Sequence, residues 1–380
     1  MKSLAVITVL RFLYFPLYAL NINLISAHHP SGVLGVFISQ VGLSFILSQI
    51  LLLGFARGIY VQGFVYKARR PLHLLSAAGI LAAGVLFAGL GLGGLEYPVL
   101  IYSVLLAGNQ LLCALNYVQG RFVMATVLEY VVPASLLSCA ILLSPTTLPI
   151  QLLSLGVIVA LAIGGAIYLF GARPTPQDVS QSFYYENAGH AILDSFFARL
   201  PVVLAPFFFS GATLDSFSTV YSMAGMSGAV SQVLNRFTGV LRHVKTLTER
   251  HLQVLGVVMF GAIAVGSFVL WGPFQSLMAF KDPGLVLFAL VWLPQFSKIL
   301  YGGSVFAWIR TMPLRRFLVL DLLVIAGFLA LSGLSYYAAV VLLCLRYTFY
   351  YLFLKPKQTQ TAAAPQDPAR QDTTAKDIQK

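Results

Sequence analysis

Apolar residues run along this chain in long continuous stretches, broken by short polar or basic segments. The stretches do not alternate with polar residues, so the pattern excludes a membrane β-barrel. They run for about 20 residues, the length an α-helix needs to cross a bilayer. Hydropathy and breakers predict spans over 4–27, 33–56, 72–94, 97–118, 121–143 and 150–170. A second set covers 188–210, 217–240, 252–271, 284–308, 317–334 and 335–354. From Lys355 onward the chain is rich in Gln, Thr, Ala, Pro and Asp, a composition expected to stay disordered. The expected fold is therefore an all-α polytopic membrane protein of about 12 transmembrane helices.

Composition agrees. Of 380 residues 58% are hydrophobic and 9% charged, against about 25% charged in soluble domains. Mean hydropathy is +0.85. The net charge of +12 does not imply a nucleic-acid partner, because the basic residues punctuate apolar segments instead of forming one soluble face. Cys113, Cys139 and Cys344 all lie in apolar runs, so neither disulfides nor a metal site is expected. Met1-Lys2-Ser3 followed by a long apolar run reads as an uncleaved first helix. No P-loop, HExxH or GxSxG motif occurs, and the outer loops are short; enzymatic activity is not expected, nor is a cofactor.

Orientation follows from where Lys and Arg fall. Arg57, Lys67, Arg69, Arg70, Arg121, Arg173, Arg236, Arg242, Lys245, Arg250, Arg310, Arg315 and Arg316 lie on one side, together with Lys2, Lys355 and Lys357. Lys281 alone lies opposite. Both termini are expected in the cytoplasm. The connection over 171–187 splits the chain into two six-helix halves, 1–170 and 188–354, with 355–380 as a cytoplasmic tail. Ser44–Leu51 in span two echoes Ser227–Leu234 in span eight, and Gly35-Val36-Phe37 and Thr219-Val220-Tyr221 precede them at matching distances. Such a duplication implies a pseudo-two-fold axis along the membrane normal.

Ionisable residues inside a membrane are costly and usually functional. Arg11 in span one, Arg199 in span seven and Lys298 in span ten fall too deep to be loop residues. Each has a proline within five positions: Pro16, Pro201 with Pro206, and Pro294. Proline removes a backbone donor and loosens the helix. For Arg11 the competing reading is snorkelling to the headgroups; for Arg199 and Lys298 it is a buried ion pair. Arg346 in span twelve reads as a snorkeller. The candidate acids are Glu129, Asp194 and Asp321. Asn187, His190 and Asp194 share a helix face and could couple proton movement to transport; the plainer reading, favoured here, pairs Asp194 with Arg199 or another cation. Asn109, Gln110, Asn116 and Gln119 in span four suit either a sugar-facing cavity or, more commonly, contacts between helices.

The turn His29-Pro30-Ser31-Gly32-Val33-Leu34-Gly35-Val36-Phe37, with Ser210-Gly211-Ala212-Thr213 through Tyr221-Ser222-Met223-Ala224 as its second copy, carries a family resemblance. With the six-plus-six layout, the chain resembles the polysaccharide-precursor flippases of the multidrug/oligosaccharidyl-lipid/polysaccharide exporter superfamily. It departs from their pattern in lacking an aromatic at Val33 and a glycine before Val220, and it is short. The resemblance implies an isoprenoid-pyrophosphate-linked oligosaccharide as cargo, alternating access between the halves, and a bacterial inner-membrane location. It makes Arg11, Arg199 and then Lys298 the best candidates for a cationic cavity, with Arg57 and Arg236 at its cytoplasmic mouth unless they only mark topology. Membrane lipids and polysaccharide-assembly proteins are the expected partners. A drug antiporter of the same superfamily, or a membrane-embedded glycan polymerase or transferase, are the alternatives. The antiporter should have an acid-lined cavity, whereas here the deep charges are mostly basic.

Overall fold

The computed structural model describes residues 2–52, 65–66, 97–118, 121–170, 176–177, 181–225 and 314–354, with positions 254, 257, 258, 261, 265, 300 and 301. The described chain is mostly helical. The helices are α1 Lys2–His28, α2 Val33–Leu52, α3 Tyr97–Val118, α4 Phe122–Thr126, α5 Val132–Leu143 and α6 Pro149–Leu169. They continue with α7 Gln181–Leu204, α8 Gly211–Gly225, α9 Leu314–Ser332, α10 Tyr336–Cys344 and α11 Arg346–Leu354. A π-helical turn, Val127–Val131, joins α4 to α5. Strands β1 Val65–Tyr66 and β2 Pro176–Gln177 pair in parallel.

Among the described residues four helices are long and apolar enough to cross a membrane: α2, α3 from Tyr97 to Asn116, the α4–α5 rod from Val123 to Leu143, and α6. The pair α10–α11, bent by 50°, makes a fifth if it is one span. These helices are apolar on both faces. In α6, Ile150, Leu153, Val157 and Ala160 are buried, while Leu155, Ile158, Val159 and Ile163 face outward. Water would penalise that outer face; lipid does not. The chain is thus an all-α, membrane-embedded protein. The expected span over 72–94 and the tail after Leu354 lie outside the described residues, as does the Ser227–Leu234 copy of the repeat, and of the spans over 252–271 and 284–308 only the isolated positions named above are described.

Two element boundaries differ from expectation. Helix α7 starts at Gln181, inside the segment read as a linker, and α8 starts at Gly211 instead of 217. Both starts are polar, with Gln181, Ser182 and Glu186 in one and Thr213, Asp215 and Ser216 in the other. A hydropathy window discounts such residues although the backbone is already helical. The π turn also has a local cause. Pro133 lacks an N–H and crowds the carbonyl four residues back, so the turn before it widens.

Packing groups α1, α3, α4–α5 and α6 together, with the later part of α2 against α3, while α7 packs with α8, α9 and α10. Helix α2 also lies against α7 and α8 and so bridges the two groups. Buried amides and hydroxyls hold the first group. Asn21 Nδ2 donates to the Ala134 carbonyl at 3.0 Å and Ser138 Oγ donates to Asn21 Oδ1 at 2.8 Å. Gln49 Nε2 donates to Gln110 Oε1 at 2.6 Å, and Asn109 and Asn116 donate to the carbonyls of Leu128 and Gly164. Asn109, Gln110 and Asn116 are therefore used between helices, as polar residues in membrane bundles commonly are. Gln119 lies outside the described residues.

A candidate cationic site between the helices

Helix α7 carries the most informative side chains, and its backbone is interrupted where they sit. Pro201 cannot donate to the carbonyl of Phe197, and the Tyr221 hydroxyl of α8 donates to that carbonyl at 3.2 Å instead. The Tyr336 hydroxyl donates to the Pro201 carbonyl, and Ser39 Oγ of α2 donates to the Val203 carbonyl at 3.2 Å. The helix then tightens into a 3-10 turn, Ala205–Phe207, containing Pro206. Hydroxyls from α2, α8 and α10 thus satisfy backbone groups around the loosened end of α7, as burial away from water requires.

Arg199 lies just before this interruption, where α7 faces α2. Its Cβ is 3.7 Å from where a side chain on Gly42 would begin, so the two backbones are close. The guanidinium sits over the Phe45 ring, 5.1 Å from its centroid. The phenols of Tyr14 and Tyr18 on α1 and Tyr102 on α3 lie within electrostatic reach of it. Tyr14 in turn packs edge-on against Tyr130 of the π turn, with centroids 5.4 Å apart. Arg199 Nε is buried and has no hydrogen-bond partner. Among the described residues no carboxylate pairs with it. A cation–π contact of this kind contributes about 0.5–2 kcal/mol, far short of replacing water around a guanidinium.

One helical turn away the arrangement is the opposite. Asp194 does not pair with Arg199. Its carboxylate accepts from Arg346 Nη1. Asp321, fully buried on α9, takes the rest of the same guanidinium as a fork, with Nε to Oδ1 at 2.8 Å and Nη2 to Oδ2 at 2.7 Å. The Tyr350 hydroxyl donates to Asp321 Oδ1, and Phe197 stacks on Arg346 with 4.1 Å between Cζ and the ring centroid. Arg346 is 3% exposed. Reading it as a snorkeller is therefore corrected: it is the first residue of α11, at the 50° bend after α10, which aims it into the protein. Of the two partners the plainer reading allowed for Asp194, Arg199 or another cation, the structure shows the second, Arg346.

Other sequence candidates fall differently. Arg11 lies within α1 and His190 and Asn187 within α7, but their side chains are outside the described residues. Lys298, Arg57 and Arg236 are outside them altogether. Glu129 sits in the π turn, half-buried and close enough to Cys113 to act on it electrostatically. Among the described residues no cluster of His, Cys, Asp and Glu is arranged to hold a metal ion. Asp215, near the start of α8, was not singled out by sequence. Its only signal is an acid a few residues past Ser210-Gly211, and its partners are the backbone amides of Gly32, just before α2, and Gly35, in the first turn of α2, 183 and 180 positions away in the chain. Neither a family model nor any curated protein matches this chain.

Proposed function

We propose that this protein is a transporter that moves an anionic, lipid-linked cargo across the membrane, an isoprenoid-pyrophosphate-linked oligosaccharide in the reading favoured here. The observation that carries the proposal is Arg199. It is a deep cation with a buried, unpartnered Nε, held by aromatic rings at the meeting of α1, α2, α3 and α7. An unneutralised guanidinium in an apolar bundle is costly unless water or an anion reaches it. Pyrophosphate matches a guanidinium in charge and in hydrogen-bond geometry. The flanking tyrosines offer flat faces and hydroxyls suited to a sugar.

Arg11 and Lys298 extend this cationic cavity, and Arg57 and Arg236 gather the headgroup at the cytoplasmic side. Six helices in each half would rock about the cavity, with both termini in the cytoplasm of a bacterial cell and the cargo delivered for surface polysaccharide assembly. A drug-cation antiporter fits less well, because Asp194 and Asp321 are already committed to Arg346. A polymerase or transferase would need an outer catalytic surface that the short loops do not offer.

The test is direct. In cells lacking the native gene, Arg199→Ala should abolish translocation of lipid-linked oligosaccharide while membrane abundance stays near normal. Arg199→Lys should retain part of it, because charge survives although the planar fork does not. Unimpaired translocation in Arg199→Ala would overturn the proposal. Orientation is checked by a cysteine at Ala68, which an impermeant maleimide applied to intact cells should not label.

A further inference from the structure

The two groups of helices meet closely at one end of the bundle, where glycines of α2 and of the turn before it lie against α7 and α8. Gly32, before α2, and Gly211, at the start of α8, both have positive φ, +99° and +53°. A Cβ on Gly32 would lie 3.4 Å from Gly211 Cα, and one on Gly35 would be 2.5 Å from Leu214 Cγ and 2.9 Å from its carbonyl carbon. Further along α2, Ser39 and Gly42 continue the same contact against Val203 and Val202. Positions 32, 35, 39 and 42 repeat at helical spacing, so the seam occupies one face of α2. It ends at Phe45, over Arg199. The seam therefore seals the bundle above the cationic site.

One charged group crosses that seal. Asp215 of α8 accepts from the Gly32 N–H through Oδ2 at 2.7 Å and from the Gly35 N–H through Oδ1 at 2.6 Å. The amides at a helix N-terminus have no partners within the helix, and the partial positive charge there favours a carboxylate. A local cap would use a residue next to α2 in sequence. Here the cap comes from the other half of the chain, so α2 keeps it only while α2 and α8 stay together.

We infer that Asp215 is the latch of the outer gate: it holds the Gly32–Gly211 end closed, and opening to the outer side requires both of its hydrogen bonds to break. This rests on the transporter reading and on the Lys/Arg distribution, which puts the turn before α2 outside. In the resting state the cationic site is shut from the outer side by glycine contacts too close to admit water. Once the carboxylate lets go, no other side-chain hydrogen bond among the described residues joins the first turn of α2 to α8. Opening then requires the contacts of Gly32 and Gly35 with Gly211 and Leu214 to separate.

The experiment uses the full chain with Cys113, Cys139 and Cys344 replaced by serine and a reporter, Ser218→Cys. Ser218 is fully buried on α8, one turn below Asp215, and its hydroxyl has no partner, so the exchange is nearly isosteric. Intact cells are treated with an impermeant maleimide, and membrane abundance and oligosaccharide translocation are measured alongside. The reporter should react slowly with Asp215 present and about tenfold faster or more with Asp215→Ala, given the strength of two charge-assisted bonds. Asp215→Asn, which keeps one acceptor, should fall between. Unchanged labelling in both variants at normal abundance overturns the latch. So does loss of the protein from the membrane in both, which would make Asp215 a structural cap. Faster labelling in a chain whose unsubstituted form translocates no oligosaccharide keeps the latch and overturns the proposed cargo.

Discussion

Arg346 and Arg199 are both arginines inside the bundle, yet they occupy opposite electrostatic situations. Arg346 is forked onto Asp321, also bonded to Asp194, and capped by the Phe197 ring. Arg199 has rings around it and no carboxylate among the described residues. Both lie on helices interrupted nearby, so helix breaking does not distinguish them. The acids that reach each guanidinium do. Asp194 is only five positions from Arg199 in sequence, but five residues on a helix point it about 140° away, toward α11. A charge already satisfied on every side can bind a ligand only by giving up what holds it. Among the described residues Arg199 has no carboxylate to give up, which is what the proposed anionic cargo requires.

The sharpest way to break this comparison is to remove Arg346. Arg346→Met should leave Asp321 buried without a counter-charge, and breaking a buried pair by one partner destabilises by about 3–5 kcal/mol. Membrane abundance should collapse, and with it any activity. Arg346→Lys should fare little better, because a point charge cannot replace the fork onto Asp321 and the bond to Asp194 together. Arg346→Met with Asp321→Asn should recover much of the abundance, since no unpaired charge remains. Quantitative immunoblotting of membranes reads all three. Normal levels of Arg346→Met would mean that the cluster does not hold α7, α9 and α11 together.

Arg199 should behave in the reverse manner: activity lost and abundance kept. The double variant Arg199→Ala with Asp194→Ala sharpens the contrast. Were the two a pair, removing both would repair what removing one had damaged. With Asp194 committed to Arg346, the double variant should show the translocation defect of Arg199→Ala plus a loss of abundance from the weakened cluster. Recovery of both readouts would make Arg199 a structural cation and remove the main support for an anionic cargo.

Long-period features were readable from the chain and three-dimensional partnerships were not. The span expected over 97–118 coincides with α3, and the spans at 33–56 and 150–170 coincide with α2 and α6 within a few residues. No charged residue interrupts them and their ends are marked by Pro, Gly or charge. That Arg199 lies within a helix was legible for the same reason. The fate of Arg346 was not, because its partners come from helices 25 and 152 positions away and its aim depends on a bend between α10 and α11. No local composition encodes that bend, since Leu345 is an ordinary helix former. Asp215 was invisible for a related reason. An acid near a helix start reads as a cap for its own helix, and only the meeting of α2 with α8 turns it toward another.

The smallest effect predicted tests how the interruption beside Arg199 is supported. Tyr221→Phe removes the hydroxyl that bonds the Phe197 carbonyl and keeps the ring that packs on Phe217, with centroids 6.1 Å apart. A single hydrogen bond of this kind contributes about 1 kcal/mol, so abundance should barely change. The consequence should appear elsewhere. Phe197 stacks on Arg346, and its carbonyl lies two residues from Arg199, so a freed carbonyl can shift α7 on either side of the contrast. If Arg199 acts on the cargo through its position, Tyr221→Phe should lower the rate of oligosaccharide translocation severalfold at equal protein levels. Tyr336→Phe, which frees the Pro201 carbonyl further from Arg346, should do the same with still less effect on abundance. Wild-type rates in both would show that the loosened end of α7 holds its geometry without the two hydroxyls. The aromatic rings, and not the hydrogen bonds to the broken helix, would then be what fixes Arg199 in place.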